Sequence, residues 1–390
     1  MPDGSSPYRL TLHGSIAAIP AAAWDACAGA DNPFVSHAFL LALEESRSAV
    51  RDSGWLPQHA VVEDESGSLL AAAPMYLKSH SYGEYVFDHG WADAYMRAGG
   101  RYYPKLQVSV PFTPVPGPRL MLHPQADPAL FDLLAKGLID AAFQRGVSSL
   151  HVTFAREQEW RRLGELGFLQ RQAYQFHWSN RGYASFDDFL KDLSSRKRKS
   201  LRKERRDVAE SGVEIHTLSG AALEPRHWDA FFRFYRSTSD RKWGQPYLTR
   251  GFFDRIGASM ADKIVLVLAE HKGKYVAGAL NLRGSDTLYG RNWGCLGDYP
   301  FLHFECCYYR AIDYAIEHGL ARVEAGAQGE HKLQRGYLPT ATHSAHWIRE
   351  PSFRQAVDDY LSRERLHIAR TIEALAEHTP FRQENESAEA

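Results

Sequence analysis

The sequence predicts an α/β (α+β) fold of two tandem units, each a mostly antiparallel mixed sheet flanked by helices. Three internal matches, in the same order in both halves, predict it. A strand, glycine turn and strand at 61–77 return at 267–282, followed there by a third strand, "TLYGRNWGCL". A helix that stops at a glycine and runs into a strand occurs at 138–152 and 311–325. Finally, "GFLQRQAYQFHW" and "GYLPTATHSAHW" have equal length and end in His-Trp.

Local patterns justify each element in turn. Alternating apolar residues around glycine turns predict antiparallel meanders. Apolar residues at helical spacing before Gly146 and Gly319 predict helices that end at glycine C-caps. After the next strand, the first copy has a helix with Trp160, Leu163 and Leu166 on one stripe. Two final strands are expected to complete each unit.

These elements set the predicted domain boundaries. We place the first unit at residues 1–180, with a long insertion at 83–128, and the second unit at 181–375. The acidic segment 376–390 is expected to be a disordered tail.

Composition excludes several classes of protein. The 390 residues carry 46 basic and 47 acidic side chains, so no global field attracts nucleic acid or an anionic membrane. The four cysteines include an adjacent pair and no C-x-x-C, which argues against a disulfide framework or a zinc ribbon. No signal peptide or membrane span is expected, and no metal site. A cytoplasmic location fits best.

Three further stretches carry a resemblance to a known family. They are "GRYYPKLQVSVPFTPVPGPRL", "HFECCYYRAIDYAIEHG" and "GAQGEHKLQRGYLP". Together with the order of elements, they resemble the FemAB-like tandem GNAT acyltransferases, in the branch described as peptidoglycan biosynthesis or recognition and predicted N-acyltransferase. The resemblance covers about residues 8 to 350 and implies two GNAT-like units. It also implies aminoacyl-tRNA or acyl-CoA as co-substrate, with no tightly bound cofactor.

The second copy departs from the first after its last helix and strand. The short "GAQGEHKLQRGY" stands where the first copy has an ordinary helix. Gly326 and Gly329 allow a close backbone approach to a ligand, and a short helix follows. A turn with solvated charges is the alternative. The candidate substrate-binding residues of this loop are Gly326, Gln328, Gly329, Lys332 and Arg335.

Acyl transfer to an amine needs a base and donors for an oxyanion. The resemblance implies that "TLYGRNWGC" and "LARVEAGA" separate to form the reaction cleft. Alternation along the first strand predicts that Arg291 and Trp293 share a face with Tyr289. Arg291, Lys332 or the loop amides are candidate oxyanion donors, and a cross-strand ion pair from Arg291 to Glu324 is the alternative. The candidate bases are Glu324, Glu330 and His331.

The start of the next helix bears on the acyl donor. "GCLGDYPFLHFECC" lacks the glycine-rich pyrophosphate turn of CoA-using GNAT proteins, and Asp298 and Glu305 are expected to repel pyrophosphate there. This favours aminoacyl-tRNA over acyl-CoA. His303 and Glu305 are substrate-binding candidates, and Cys306 and Cys307 are interpreted as core residues.

The insertion at 83–128 is expected to wall the acceptor groove, because long loops inside compact domains are usually functional. A structural cover over a sheet is the alternative. The contact candidates are Trp91, Asp93, Tyr102, Tyr103 and Lys105.

A basic run at 194–208 follows a helix that begins at Ser185, so one helix is expected to continue through it. It resembles the Lys/Arg-rich lead-in to the second FemAB domain and is a candidate for contact with tRNA or a phosphorylated acceptor. A solvated helix face is the alternative. Arg241 and Lys242 are candidates for a phosphate contact. The polyanion-binding candidates are Arg196, Lys197, Arg198, Lys199, Arg202 and Lys203.

The sequence therefore predicts an acyltransferase of EC 2.3 type that moves an acyl or aminoacyl group onto a small-molecule or peptide amine, such as a peptidoglycan precursor. The alternatives are an acyl-CoA-dependent N-acetyltransferase and a non-catalytic protein that binds a cell-wall precursor or nucleic acid. No pattern predicts the oligomeric state.

Overall fold

The computed structural model describes residues 7–242, 245–326 and 329–382, without the side chains of residues 239–242 and Glu330. Within these ranges the chain is a mixed α/β fold, which confirms the predicted fold class. The strands are β1 (Tyr8–His13), β2 (Trp55–Pro57), β3 (His59–Asp64), β4 (Leu69–Ala73), β5 (Met75–Lys78), β6 (Lys105–Val108), β7 (Met121–Leu122), β8 (Ser149–Ala155), β9 (Leu169–Ser179), β10 (Val213–Leu218), β11 (Ile264–His271), β12 (Lys274–Arg283), β13 (Thr287–Cys295), β14 (Arg322–Glu324) and β15 (Leu338–Ile348). The α-helices are α1 (Ala21–Ala28), α2 (His37–Glu45), α3 (His89–Arg97), α4 (Leu130–Gln144), α5 (Glu157–Glu165), α6 (Phe186–Asp192), α7 (Ser195–Glu210), α8 (Pro225–Lys242), α9 (Arg250–Ser259), α10 (Leu302–Phe304), α11 (Arg310–Glu317) and α12 (Pro351–Glu377).

The elements form two units that interleave along the sequence. The first holds residues 1–173, 247–260 and 341–368, and the second holds residues 174–246, 261–340 and those from 369 onward. Each unit thus contains a final strand from the other half of the sequence, because most of β9 lies in the second unit and most of β15 in the first. The predicted boundary at residue 180 divides the sequence halves and does not coincide with the limits of these units.

In the first unit, Pro74 divides the second strand of the meander. Proline cannot donate to a strand ladder, and β4 and β5 flank it in separate sheets. One sheet has the order β1-β3-β4-β7, and the other runs β15-β8-β6-β5-β2. Leu134 and Leu138 of α4 pack with Leu106, Leu150 and other apolar residues in the core of this unit.

In the second unit, the sheet has the order β10-β11-β12-β13-β14-β9. Neighbouring strands are antiparallel except β13 and β14, which are parallel. Ile312 of α11 and Val323 of β14 belong to one buried cluster on this sheet.

The predicted helix and strand pairs are confirmed in both units. Gly146 follows α4 with φ +65°, and Gly319 follows α11 with φ +62°, the left-handed conformation that glycine adopts without strain. The predicted helix after the first of these strands is α5, with Leu163 fully buried.

Four local expectations were wrong. The final segment of each half is one continuous strand, β9 or β15, and not two. Leu193 has ψ 153°, which separates α6 from α7, so the basic run forms its own helix. The insertion, interpreted as a long loop, contains the strand β6, which pairs in parallel with β8 as β13 does with β14. Residues before 383 of the expected tail are folded, since α12 continues to Glu377 and Phe381 bridges to Leu193.

Candidate functional site

The two parallel strands of the second unit separate soon after they pair. Pairing joins Thr287 to Arg322, Leu288 to Val323 and Tyr289 to Glu324, where β14 ends while β13 continues to Cys295. Gly290 stands at the point of separation. A Cβ there would lie 3.3 Å from the carbonyl oxygen of Glu324, so a larger residue would require the departing backbone to shift slightly.

Glu324, the last residue of β14, is a carboxylic acid held out of water. Its side chain is 8% exposed, and Oε2 makes no hydrogen bond with any described residue. Burial, with a smaller contribution from Asp286, raises the pKa of Glu324 to about 8 against the opposing charges of Arg322 and Arg291. Once it is ionised, as pH rises through about 8, a carboxylate with one free oxygen can accept a proton from a substrate.

His177 of β9 faces Glu324 directly across the antiparallel pair. Its Nδ1 lies 4.0 Å from Oε1 of Glu324, and its Nε2 lies 3.3 Å from Oε1 of Gln175. Burial, then the charges of Arg322 and Lys332, lower the pKa of His177 to about 3. The imidazole is therefore neutral at physiological pH.

A β-bulge changes the face on which β13 presents its side chains. Leu280 of β12 pairs with Asn292 and Asn281 pairs with Gly290, which leaves Arg291 as the extra residue. Tyr289 is paired with Leu282, but Trp293 is paired with Ala279. The expectation that Tyr289 and Trp293 share a face was wrong, because the bulge shifts the alternation by one residue.

The glycine-rich segment after β14 is held by Lys332. Gly326 and Gly329 both have positive φ, at 77° and 111°. Lys332 is buried, and its Nζ donates a hydrogen bond of 2.9 Å to the carbonyl oxygen of Gly326. Burial lowers the pKa of this ammonium to about 8. Lys332 thus contacts the backbone of the predicted loop.

Arg335 anchors the other end of this segment. Its guanidinium donates to Oε2 of Glu204 at 2.9 Å, to the hydroxyl of Tyr309 at 3.1 Å and to the carbonyl oxygen of His331 at 2.8 Å. It also lies over the ring of Phe304, 3.3 Å from the centroid. Arg335 was predicted to bind substrate, but these contacts occupy its guanidinium within the fold.

Three predicted residues meet in an aromatic cluster of the second unit. The rings of Trp293 and His303 are 5.3 Å apart, and those of His303 and His331 are 5.7 Å apart. The Nε2 atom of His331 is 2.8 Å from the hydroxyl of Tyr308. Burial, then Arg335 and Lys332, lower the pKa of His331. Trp293 and His303 are half-buried and His331 is exposed, so these rings can stack on a flat or cationic ligand group.

Glu305 has a structural position that the sequence did not predict. Glu305 begins the π-helical turn Glu305–Tyr309. Its buried carboxylate forms ion pairs with Arg205 at 3.0 Å and with Arg310 at 2.8 Å. Two arginines therefore compensate its charge within the fold, which weakens the expected repulsion of a pyrophosphate by Glu305. The charge argument against acyl-CoA rests on the exposed Asp298 alone.

The predicted contact residues of the insertion mostly lie inside the first unit. Lys105 is fully buried and donates to Ser81 at 2.8 Å, to Glu84 at 2.7 Å and to Asp88. Tyr102 is also buried and donates to Asp88 at 2.6 Å. Both side chains are buried and do not reach a surface groove. The charge of Lys105 is compensated inside the unit by Glu84 and Asp88.

The remaining candidates of the insertion have separate environments. Trp91 is buried and meets the ring of His346 edge-on at 5.0 Å. The hydroxyl of Tyr103 is 2.8 Å from Ser81, next to Lys105, and Asp93 is exposed. The insertion thus contributes buried polar and aromatic side chains to the first unit, and Asp93 lies at its surface.

Helix α7 presents part of the basic run to solvent. Arg196, Lys199, Arg202 and Lys203 are exposed, while Lys197 and Arg198 are half-buried. Arg202 pairs with Asp187 at 2.9 Å and Lys203 with Asp207 at 3.6 Å. Lys197 donates to Gln334.

Four predicted positions cannot be placed. Gln328 lies outside the described residues, and so do the side chains of Glu330, Arg241 and Lys242.

His177, Glu204 and Tyr309 are site residues that sequence reasoning missed. A signal for His177 was present, because both halves end in His-Trp. No local pattern distinguishes Glu204 from the basic residues around it. Its role depends on Arg335 and Tyr309, which are more than a hundred positions away.

The fold and the site together define a two-unit α/β protein with a buried carboxylic acid where parallel strands diverge. The chain belongs to the FemAB-like family, described as peptidoglycan biosynthesis/recognition, whose model matches residues 15–383. This confirms the resemblance inferred from the motifs. No curated protein sequence matches the chain.

Solved structures show the same fold at low identity. L-PGS from Bacillus licheniformis is 11% identical, with TM-score 0.51 over 85% of this chain and 98% of its own. A conserved protein of unknown function from Bacteroides thetaiotaomicron VPI-5482 is 11% identical, with TM-score 0.53 over 88% of this chain and 100% of its own. The C-terminal domain (DUF2156) of a putative lysylphosphatidylglycerol synthetase from Agrobacterium fabrum is 10% identical, with TM-score 0.53 over 87% of this chain and 94% of its own.

Among the described residues, no helix is both long enough and apolar enough to span a bilayer.

Proposed function

We propose that this protein is an N-acyltransferase that moves an acyl or aminoacyl group onto an amine, with Glu324 as the general base. One observation carries the proposal. Glu324 ends β14 where β13 and β14 separate, and it presents a buried Oε2 that has no hydrogen-bond partner among the described residues. Membership in the FemAB-like family supports the same class of reaction.

The proposed reaction needs one proton removed and one returned. The acceptor amine attacks the acyl carbonyl carbon, and Oε2 of Glu324 takes a proton from the nitrogen as the new C–N bond forms. The bond from the carbonyl carbon to the donor oxygen or sulfur then breaks, and the leaving group receives a proton. Backbone N–H groups of the glycine-rich segment are the proposed oxyanion donors, where Lys332 holds Gly326.

Two donor classes fit this reaction. With aminoacyl-tRNA as the donor, the leaving group is a ribose hydroxyl of the tRNA. The exposed cations of α7 support contact with such a polyanion. With acyl-CoA as the donor, the leaving group is the thiol of CoA. The pairing of Glu305 with two arginines weakens the argument that this carboxylate repels the CoA pyrophosphate. Calorimetry of the full chain with CoA and with purified tRNA separates the two, since only the correct donor class should bind.

The acceptor is proposed to be a peptidoglycan-precursor-like or small-molecule amine. The family description supports a cell-wall acceptor. A panel of such precursors with free amino groups, assayed with labelled donor, tests this choice.

The variant Glu324→Gln tests the base directly. It keeps the size of the side chain but cannot accept the proton, so the rate should fall by roughly 10²- to 10⁴-fold with ligand binding retained. In the wild type, the rate should rise as pH increases through about 8, because the base must be ionised. Transfer of labelled acyl groups, measured from pH 6 to 9, follows both effects.

Glu317→Gln, on an exposed position of the same unit, is the matched control and should leave the rate unchanged. Full transfer activity in the Glu324→Gln variant would contradict the assignment. Ligand binding with no transfer in any variant or the wild type would support the rival function, a protein that recognises a cell-wall precursor without turnover.

A further inference from the structure

We propose that His177 is a positioning residue for Glu324: its Nδ1 accepts a hydrogen bond from the protonated carboxyl group in the resting site, which leaves Oε2 free for the substrate. This inference rests on the proposed function, because it assigns a partner to the proposed base. His177 stands on β9, a strand that the first half of the sequence contributes to the second unit. The half that carries Glu324 therefore does not supply the whole site.

The geometry sets the two side chains toward each other. Glu324 and His177 are direct cross-strand partners, and such partners place their side chains on one face at close range. Oε1 of Glu324 and Nδ1 of His177 are 4.0 Å apart. A shift of about 1 Å closes this gap to a hydrogen bond, as catalytic hydrogen bonds commonly tighten when substrate binds.

The second ring nitrogen fixes the tautomer of His177. Gln175 presents its amide oxygen, a pure acceptor, 3.3 Å from Nε2. Nε2 must therefore carry the hydrogen, which leaves the lone pair of Nδ1 toward Glu324. In this tautomer, Nδ1 can accept a hydrogen bond from the neutral carboxyl group of Glu324.

The protonation states of the pair are complementary. Burial raises the pKa of Glu324 to about 8 and lowers that of His177 to about 3, so at neutral pH one proton resides on the carboxyl. A hydrogen bond from Oε1 to Nδ1 uses that proton and leaves Oε2 unoccupied. The charged and titratable groups that act on this pair are Asp286, Tyr289, Arg291, Arg322 and Lys332.

The first unit contains the same cross-strand position with a different partner. His151 stands five residues after Gly146, as Glu324 stands five residues after Gly319. Its cross-strand partner is His346, in the His-Trp ending that corresponds to that of His177. The two Nδ1 atoms of His151 and His346 are 2.7 Å apart.

The duplicated fold thus places a histidine of the final strand against this position in both units. Only the second unit has a carboxylic acid there. In the first unit, the two histidines at this position bond directly to each other inside the core. In the second unit, Oε2 of Glu324 has no hydrogen-bond partner among the described residues. The histidine belongs to the duplicated fold, and its partner at residue 324 provides the chemistry.

Titration of Glu324 in the full chain tests the pair without requiring turnover. Glutamate labelled with 13C at the side-chain carboxyl reports each carboxyl by NMR, and Glu324→Gln identifies the signal of Glu324. His177→Gln places its amide near the former Nε2 and removes the acceptor at Nδ1, so the midpoint of Glu324 should fall by about one pH unit. His177→Asn retains a polar oxygen near Nδ1, and its midpoint should stay within about 0.3 units of the wild type.

His227→Gln, which changes another buried histidine of the second unit, is the matched control and should not move the midpoint. Equal midpoints in wild type, His177→Gln and His177→Asn would overturn the proposal, as would an equal shift in the His227 variant. Failure of the proposed function has a different result: Glu324→Gln would keep transfer activity while His177→Gln still shifted the titration.

Discussion

At the residue scale, the site depends on ionisable side chains that the fold keeps from water. Lys332 is buried with a hydrogen bond to a backbone carbonyl, and Arg335 is shared among Glu204, Tyr309 and the carbonyl oxygen of His331. Buried charges of this kind cost stability, and they persist where they hold a functional segment in place. Here they hold the two ends of the glycine-rich segment.

The variant Lys332→Met separates stability from function at this position. It removes a buried ammonium whose pKa burial lowers to about 8, so the free energy of unfolding at pH 7 should stay equal or increase by about 1 kcal/mol. The carbonyl oxygen of Gly326 loses its donor, and kcat/KM should fall roughly tenfold. Denaturant unfolding and the transfer assay measure the two effects. The more exposed Lys263→Met is the control, and a less stable Lys332→Met variant with full activity would contradict the role given to Lys332.

At the element scale, two extended residues separate the basic helix α7 from α6. The backbone of Leu193 and Ser194 is extended between α6 and α7, and Leu193 bridges to Phe381. Leu201 and Val208 pack α7 on the second unit, while its basic residues remain mainly at the surface. An amphipathic helix with one cationic face can follow a phosphate backbone.

The triple variant Arg196→Gln, Lys199→Gln and Lys203→Gln tests the cationic face of α7. If this face contacts tRNA, the plot of log affinity against log salt should lose about 2 to 3 units of slope, because each neutralised phosphate contributes about 0.7 to 0.9. The melting temperature should not change, since exposed charges contribute little to stability. Fluorescence anisotropy with labelled tRNA measures the slope.

The matching control removes three exposed cations elsewhere in one triple variant: Arg97→Gln on α3, Lys136→Gln on α4 and Arg145→Gln directly after α4. Equal slopes for the wild type and the α7 variant would show that this face is only solvated.

At the scale of the whole molecule, the first unit derives part of its stability from a buried ionic core. Lys105 bonds to Glu84 and Asp88 within the insertion, and Lys78 lies 3.5 Å above the ring of Trp55. Burial, opposed by Lys105, raises the pKa of Glu84 to about 7. Glu84 and Asp88 act against burial and raise the pKa of Lys105, which keeps this lysine charged.

Lys105→Met should destabilise the protein by about 3 to 5 kcal/mol, because it leaves buried carboxylates without their cation. The deficit should shrink as pH falls, since Glu84 and Asp88 can then take up protons. Denaturant unfolding at pH 5 and pH 8 measures both effects. The exposed pair of Arg161 and Glu157 is the control, and Arg161→Met should cost less than about 0.5 kcal/mol. Equal losses for the two variants would refute the ionic core as a source of stability.

Much of the fold could be predicted because it follows local rules. Gly146 and Gly319 end their helices, glycine turns connect the meanders, and the internal matches indicated the duplication. The bulge at Arg291 and the break at Leu193 could not be predicted, because they depend on neighbouring strands and on Phe381.

The candidate site divides in the same way. Glu324 and the glycine-rich segment could be found from the sequence, because the second copy departs there from the first. The buried positions of Lys105, Tyr102, Glu305 and Arg335 could not be predicted, since a charged or polar side chain is expected at the surface until its partner is known.

By itself, the sequence determined the order of elements, the family and the place where the two halves differ, because these depend on near neighbours and internal comparison. Only the tertiary structure decided which strand completes each unit and which charges are buried. The pairing of Glu324 with His177 joins residues from opposite halves of the chain. Such a contact depends on long-range strand register, which no local pattern encodes.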